Sequence, residues 1–331
     1  MTRRHACTVI TLTATAFGQK PDRPTVRLQS TRASANFDLL GGSLIDFQLA
    51  GSINPLSWDS NAKADPSSPR SRGHFLCMDR WGQPSEAEKK NGMPFHGEAA
   101  AVAWKLSSNS ASECQMQADL PIAQLRIERT AKLDGATLTV RERITNLGKL
   151  GRMYNVVQHP TIAPPFLDES TVVDANCGKG FAQSAPDVLL NPGFPAFRTL
   201  TNNPNPNVAS FVIDGPTGWV TALAPTHNLA IGYVWSTRDY PWLNIWRHVT
   251  DGKPVARGLE FGTTGLHQPF PEMVRRGGRM LDRPLFAYID AGETQERSYT
   301  AFLVRTPAGA KGVRAVEITK DQTEPHVQFI S

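Results

Sequence analysis

Four short strings in this chain carry side chains able to move protons or to hold a polar ring. Met93-Pro94-Phe95-His96-Gly97-Glu98 sets an imidazole beside a glycine turn, and an imidazole titrates near neutrality unless its surroundings forbid it. The plain alternative is a turn histidine bonded to nearby backbone. Tyr154-Asn155-Val156-Val157-Gln158-His159-Pro160 reads as a strand that Pro160 stops, leaving His159 at its end. Strand ends that face loops are common places for sites; a histidine held at a sheet edge by Gln158 is the alternative. In Arg257-Gly258-Leu259-Glu260-Phe261-Gly262, Leu259 and Phe261 directed into a core would put Glu260 on the opposite face of the strand. There it is a base if that face is a cleft, and an ordinary polar residue if that face is solvent. Asp239-Tyr240-Pro241-Trp242-Leu243-Asn244-Ile245-Trp246-Arg247 combines rings that pack on the C–H faces of a pyranose with charged groups that bond its hydroxyls. A core strand with buried tryptophans fits this string equally well.

The elements that must carry these strings are strands. The 26 Gly and 25 Pro show no period and act as punctuation. Strand patterns occur at residues 26–28, 36–40 and 43–49, the last two joined through Gly41-Gly42. Residues 124–129 alternate Leu125 and Ile127 with charged neighbours, 132–135 form a Leu-Asp-Gly turn, and 136–144 alternate Leu138, Val140 and Glu142 with Thr137, Thr139 and Arg141. Further strands are expected at 210–213, 218–223, 229–235, 243–247, 258–262, 284–289 and 295–304. Residues 52–74 and 184–208 read as long loops, and 60–92 as charged and loop-like. With no internal repeat and no compositional break, the expectation is an all-β fold, one large antiparallel β-sandwich over residues 20–331.

A composition of 40% hydrophobic and 20% charged residues permits a buried core rather than disorder. The net charge of +5 comes from scattered basic residues, which form a solvated face; with no nucleic-acid-binding motif, that class is set aside. Residues 1–5 are basic, 6–18 are uncharged, and Ala14-Thr15-Ala16 has a small-x-small form, so residues 1–19 read as a signal peptide. A first β-strand is the alternative. The leader implies a periplasmic or secreted protein, and without it a cytoplasmic one. No later stretch reaches the ~18 apolar residues of a membrane span, so no insertion is expected after the leader is removed. Cys7 would leave with the leader. Cys77, Cys114 and Cys177 remain, an odd set with no zinc spacing, and are expected as buried free thiols.

In order along the chain, His96-Gly97, Asn146-Leu147-Gly148, the strand to His159-Pro160, the aromatic-rich strand and Gly258-Leu259-Glu260 resemble the aldose 1-epimerase (galactose mutarotase-like) superfamily over residues 26–305. Asp290-Ala291-Gly292-Glu293-Thr294, followed by Ser298-Tyr299-Thr300-Ala301-Phe302, is similar to that family's closing turn and last strand. The resemblance implies a galactose mutarotase-like supersandwich that interconverts sugar anomers by ring opening, with no metal and no organic cofactor. It implies His159 as general acid on the ring oxygen, Glu260 as general base on the anomeric hydroxyl, and His96 as the second histidine on the ring-oxygen side. It places Arg80 and Asp239 among the substrate-binding residues, beside Trp242, Trp246 and Arg247 of the aromatic string. The partner is then a monosaccharide or the end of a glycan, bound by a monomer or dimer.

Opening a hemiacetal takes a proton from O1 and gives one to O5, work suited to a carboxylate and an imidazole. Glu98 and alanines follow the first histidine where the family has glycines, and Pro160-Thr161-Ile162 follows His159 where it commonly has an aromatic, so the chain resembles a divergent branch. Arg70, Arg72, His74 and Arg80 crowd one segment, which suggests a uronate or a phosphorylated sugar. Two other functions suit the same residues: a non-catalytic sugar-binding module, and a glycan lyase or hydrolase on a related sandwich. Hydrolysis needs two carboxylates, for which Glu98, Asp239 and Glu260 are candidates.

Overall fold

The computed structural model describes residues 23–200, 207–318 and 324–331; the expected leader lies outside them. Its strands are β1 (Thr25–Gln29), β2 (Ala33–Asp38), β3 (Ser43–Leu49), β4 (His74–Asp79), β5 (Lys105–Asn109), β6 (Glu113–Leu120), β7 (Leu125–Asp134), β8 (Thr137–Asn146), β9 (Arg152–Ile162), β10 (Val172–Ala175), β11 (Cys177–Ala182) and β12 (Ala185–Leu189). They continue with β13 (Val208–Ile213), β14 (Thr217–Ala224), β15 (Leu229–Ser236), β16 (Trp242–Thr250), β17 (Lys253–Gly262), β18 (Arg279–Met280), β19 (Arg283–Pro284), β20 (Ala287–Ile289), β21 (Thr294–Arg305), β22 (Gly312–Glu317) and β23 (His326–Ile330). An eleven-stranded antiparallel sheet runs β1-β2-β3-β4-β9-β17-β16-β13-β11-β12, with β20 paired to the start of β9. An eight-stranded sheet runs β10-β14-β15-β21-β8-β7-β6-β5.

The two sheets face each other across one apolar core. Phe37, Phe47, Leu76, Val156, Leu259 and Phe261 of the larger sheet meet Ile127, Val140, Ile231 and Leu303 of the smaller. Each such side chain, fully buried, is worth roughly 1.5–3 kcal/mol, and the period-two pattern of the strands supplies them. In β7 the residues Leu125, Ile127, Ala131 and Leu133 turn inward while Arg126, Glu128 and Lys132 turn outward or lie at the margin. Gly41 and Gly42, both at positive φ, close the β2–β3 hairpin as the sequence predicts.

Several expectations need correction. The segment 60–92 is not loop throughout: it contains β4, all six of whose residues are buried, and a short helix, α1 (Glu86–Lys90), begun by a capping box of Ser85 and Glu88. A central strand covered on both faces loses the alternation that marks a half-exposed one. The segment 184–208 holds β12 and a 3₁₀ turn at Phe194–Phe197. The strand expected over 284–289 is split into β19 and β20.

Pro160 does not stop its strand, since β9 runs on to Ile162. Its missing N–H shows instead in the ladder. Strands β9 and β17 pair at Gly258↔Thr161 and again at Phe261↔Gln158, with no pair between. Cys77 and Cys114 are buried free thiols and Cys177 is a half-buried one. No helix among the described residues is long and apolar enough to cross a membrane.

Candidate active site

The interrupted ladder brings the two proton-transfer candidates face to face. The pairs on either side, Gly258↔Thr161 and Phe261↔Gln158, put Glu260 directly opposite His159. The neighbouring registers Phe75↔His159 and Asn244↔Glu260 extend that row across β4, β9, β17 and β16. Leu259 and Phe261 point into the core, so Glu260 points out of it, to the far face of the sheet. There the sheet floors a cavity of about 400 Å³ lined by Trp58, Ser60, Ser71, Phe75, Trp81, Phe95, His96, His159, Val208, Trp246, Glu260 and His267.

On this floor His159 Nε2 lies 3.2 Å from Glu260 Oε1. Trp81 Nε1 donates to the other oxygen, Glu260 Oε2, at 2.6 Å. His159 Nδ1 sits 2.9 Å from Thr161 Oγ1, whose hydroxyl donates to the His159 carbonyl. Thr161 therefore accepts from Nδ1–H, and Nε2 presents a lone pair toward Glu260. Phe75 stacks on the His159 ring with centroids 4.1 Å apart. Gly258 leaves room for the carboxyl, since a Cβ there would stand 2.6 Å from Glu260 Oε1. Behind the floor, Gln158 donates to Glu142 Oε2 at 2.7 Å, and Glu142 accepts from Arg129. That buried bridge ties β9 to the opposite sheet.

His96 reaches the cavity from the loop before the 3₁₀ turn Ala99–Ala101. Its Nδ1 accepts from Gly82 N–H at 3.0 Å, which puts the ring proton on Nε2. The backbone around it is tightly held. His96 has φ +65, a conformation non-glycine residues seldom adopt, and Gly97 bridges to Met78.

Burial sets the charge state of the floor. Glu260 is 1% exposed and His159 4%. Burial raises the Glu260 carboxyl to about 8, against the lowering effect of the Trp81 bond. Burial likewise lowers His159 to about 3 and His267 to about 4, and holds His96 well below its ordinary value. Burial thus favours the uncharged form of both partners; with one proton between them, Oε1–H can donate to Nε2 while Trp81 N–H caps Oε2. Among the described residues no group of three or more His, Cys, Asp or Glu converges as a set of metal ligands.

Solved structures share this architecture. The Slr1438 protein of Synechocystis sp. PCC 6803 superposes with a TM-score of 0.66 at 17% identity, covering 88% of this chain and 100% of its own. A galactose mutarotase-like protein from Lactobacillus casei gives 0.63 at 14% identity, over 85% of this chain and 100% of that one. A galactose mutarotase related enzyme from Lactobacillus acidophilus gives 0.62 at 12% identity, over 86% and 98%. The chain has the galactose mutarotase-like fold. No protein-family model matches the sequence, and no curated protein matches it.

Within this galactose mutarotase-like sandwich, His96, His159, Glu260 and Trp246 come together on one cavity, with the Trp246 ring 6.2 Å from that of His159. The other four expected substrate-binding residues do not line it. Arg80 bonds Asp79 and Glu88 and stacks over Phe270 at 4.0 Å. Asp239 is buried between β15 and β16, where its carbonyl accepts from Arg297. Trp242 is buried in a separate apolar cluster with Phe181, Leu266 and Phe270, its Nε1 donating to the Pro284 carbonyl. Arg247 is buried over the Phe197 ring.

The basic residues expected to select an anionic sugar are also committed elsewhere. Arg70 forks onto Asp59, Arg72 bonds Asp38 and Asp59, and His74 lies inside the sandwich against Gln158. Sequence reasoning missed Trp81, Thr161 and His267. His267 follows the Glu260 strand in a Gly- and Pro-rich segment, the one signal that could have marked it. Its ring fits over Gly82, where a Cβ would stand 2.5 Å from Nε2, and against Trp81.

Proposed function

We propose that this protein interconverts the anomers of an aldose by acid/base ring opening, with His159 and Glu260 as the catalytic pair and His96 beside the ring oxygen. The observation that carries the reading is the 3.2 Å contact between His159 Nε2 and Glu260 Oε1 on the floor of an aromatic-walled cavity. One partner takes the proton of the anomeric O1–H as the other delivers its proton to O5. The C1–O5 bond breaks onto O5, and the O1–H electron pair makes C1=O1. Rotation about C1–C2 and the reverse transfers close the other anomer, and the pair ends with the single proton it began with. The resemblance gives His159 the acid role and Glu260 the base role. Because the two share one proton, the cycle closes from either side. Trp58 and Trp246 offer ring surface to the sugar's C–H faces, and Ser60, Ser71 and His267 offer hydrogen bonds.

The test is NMR exchange between the α and β anomers of a panel of aldoses. Glu260→Gln and His159→Asn should each lower the enzymatic rate by about 10²- to 10⁴-fold. Wild-type rates in both variants would end this mechanism. Saturable sugar binding without any acceleration would instead select a binding module. Glu260 is the one carboxylate among the described residues that lines the cavity, so hydrolysis by two carboxyl groups lacks its second member. Glu98 accepts instead from the Ile122 and Ala123 amides.

A further inference from the structure

Arg257 has no part in the chemistry of the floor. It shares the core-facing side of β17 with Leu259 and Phe261 and is wholly buried, 0% exposed. Its Nη1 donates to the Arg198 carbonyl at 3.3 Å, while Nε and Nη2 are buried with no hydrogen-bond partner. Directly across the ladder stands Arg247 of β16, also buried, its guanidinium over the Phe197 ring. Side chains opposed in this way start from Cβ atoms about 4.5–5.5 Å apart, and like charges so placed repel. On the other side of Arg257, the partner in β9 is the apolar Ile162.

The carboxylate whose charge reaches Arg257 is Asp174 of β10, and it is already held by Arg198 and by the Val313 N–H at 2.8 Å. Burial, and after it the charge of Arg247, pull the Arg257 guanidinium down to about 9, so it keeps its proton at neutral pH. A buried cation with unmet donors is costly, and this one cannot escape the cost by becoming neutral. We propose that the inner face of the β16–β17 ladder binds chloride between the Arg257 and Arg247 side chains, with Arg257 Nε and Nη2 as donors. A halide accepts N–H bonds from any direction and needs little more room than a water molecule, which suits a place walled by Ile162 and Phe197. The site lies on the reverse side of the sheet from His159 and Glu260 and does not depend on the reaction assigned to them.

The experiment is urea unfolding of the full chain at constant ionic strength, with chloride replacing the bulkier isethionate. Only the folded chain has the site, so raising chloride from about 10 to about 500 mM should lower the wild-type unfolding constant by about threefold or more. Arg257→Met removes the donors, and the same exchange of salts should change its unfolding constant by less than about 1.5-fold, whatever its starting stability. Equal responses in the two proteins, or none in the wild type, would overturn the proposal, since water then meets those donors. If Arg257→Met does not fold, bromide diffused into crystals of the wild type decides the matter. An anomalous peak between Arg247 and Arg257 supports the site, and water alone at that place overturns it.

Discussion

Glu260→Gln tests the electrostatics of the floor without any assay of turnover. Gln is close in shape to a protonated Glu. Its amide N–H can donate to His159 Nε2, and its oxygen can accept from Trp81 Nε1 as Glu260 Oε2 does now. The variant therefore keeps the neutral hydrogen-bond pattern and removes only the titration. In the native chain burial raises the carboxyl to about 8 from an ordinary 4.5. The folded state holds a proton that the unfolded chain releases anywhere between those two values. The favourable contribution of Glu260 is thus complete below pH 4.5 and is lost as pH rises toward 8, at ~1.4 kcal/mol per pH unit. Between pH 5 and pH 7 the wild type should lose roughly 3 kcal/mol of stability relative to Glu260→Gln. Urea unfolding of both proteins at the two pH values measures it, and His159, common to both, largely cancels. Stabilities that change in parallel with pH would show an ordinary ionised carboxylate, and the shared-proton pair would be wrong.

The pH profile of kcat/KM reports the free protein, so activity should fall above pH about 8 as the pair loses its proton; burial of His96, His159 and His267 removes any limb near 6.5. A rise through pH 8 would refute the shared proton. Thr161→Val deletes the partner of His159 Nδ1 and should cost about 1–3 kcal/mol of stability and slow turnover, with sugar binding affected less; equal losses in kcat and in binding would argue against a positioning role. Trp246→Ala should weaken sugar binding by roughly 1 kcal/mol and change kcat less, as read by titration beside initial rates. Gly97→Ala, at φ +77 with a Cβ 2.0 Å from the Met78 carbonyl oxygen, should lower stability by about 3 kcal/mol or more; a thermal melt equal to wild type would show that the turn holding His96 is not tight.

Part of this protein is written in local pattern. The alternation of Leu125 and Ile127, and of Leu138 and Val140, sets a hairpin because a strand half-covered by core must repeat every second residue. The glycines at 41 and 42 close another, and the apolar pair Leu259 and Phe261 turns Glu260 to the opposite face. These are properties of neighbours in sequence, and they carry the all-β class and the sidedness of Glu260.

Register and partner choice were decided only in three dimensions. That His159 stands across from Glu260 follows from how β9 aligns on β17, a contact between strands about a hundred residues apart. β4 is covered on both faces and leaves no periodic trace. Arg80, Asp239, Trp242 and Arg247 have the right chemistry for a sugar, yet their neighbours take them elsewhere: Glu88, the Arg297 contact, the Phe181 cluster and the Phe197 ring. A charged or aromatic side chain has the same type whether it faces a ligand or a neighbour. Trp81 and His267 reach the cavity because Gly82 leaves space for an imidazole from far along the chain. The sequence by itself determined which faces of which strands could carry chemistry; folding decided which of those faces meet, because pairing energies depend on partners distant in the chain.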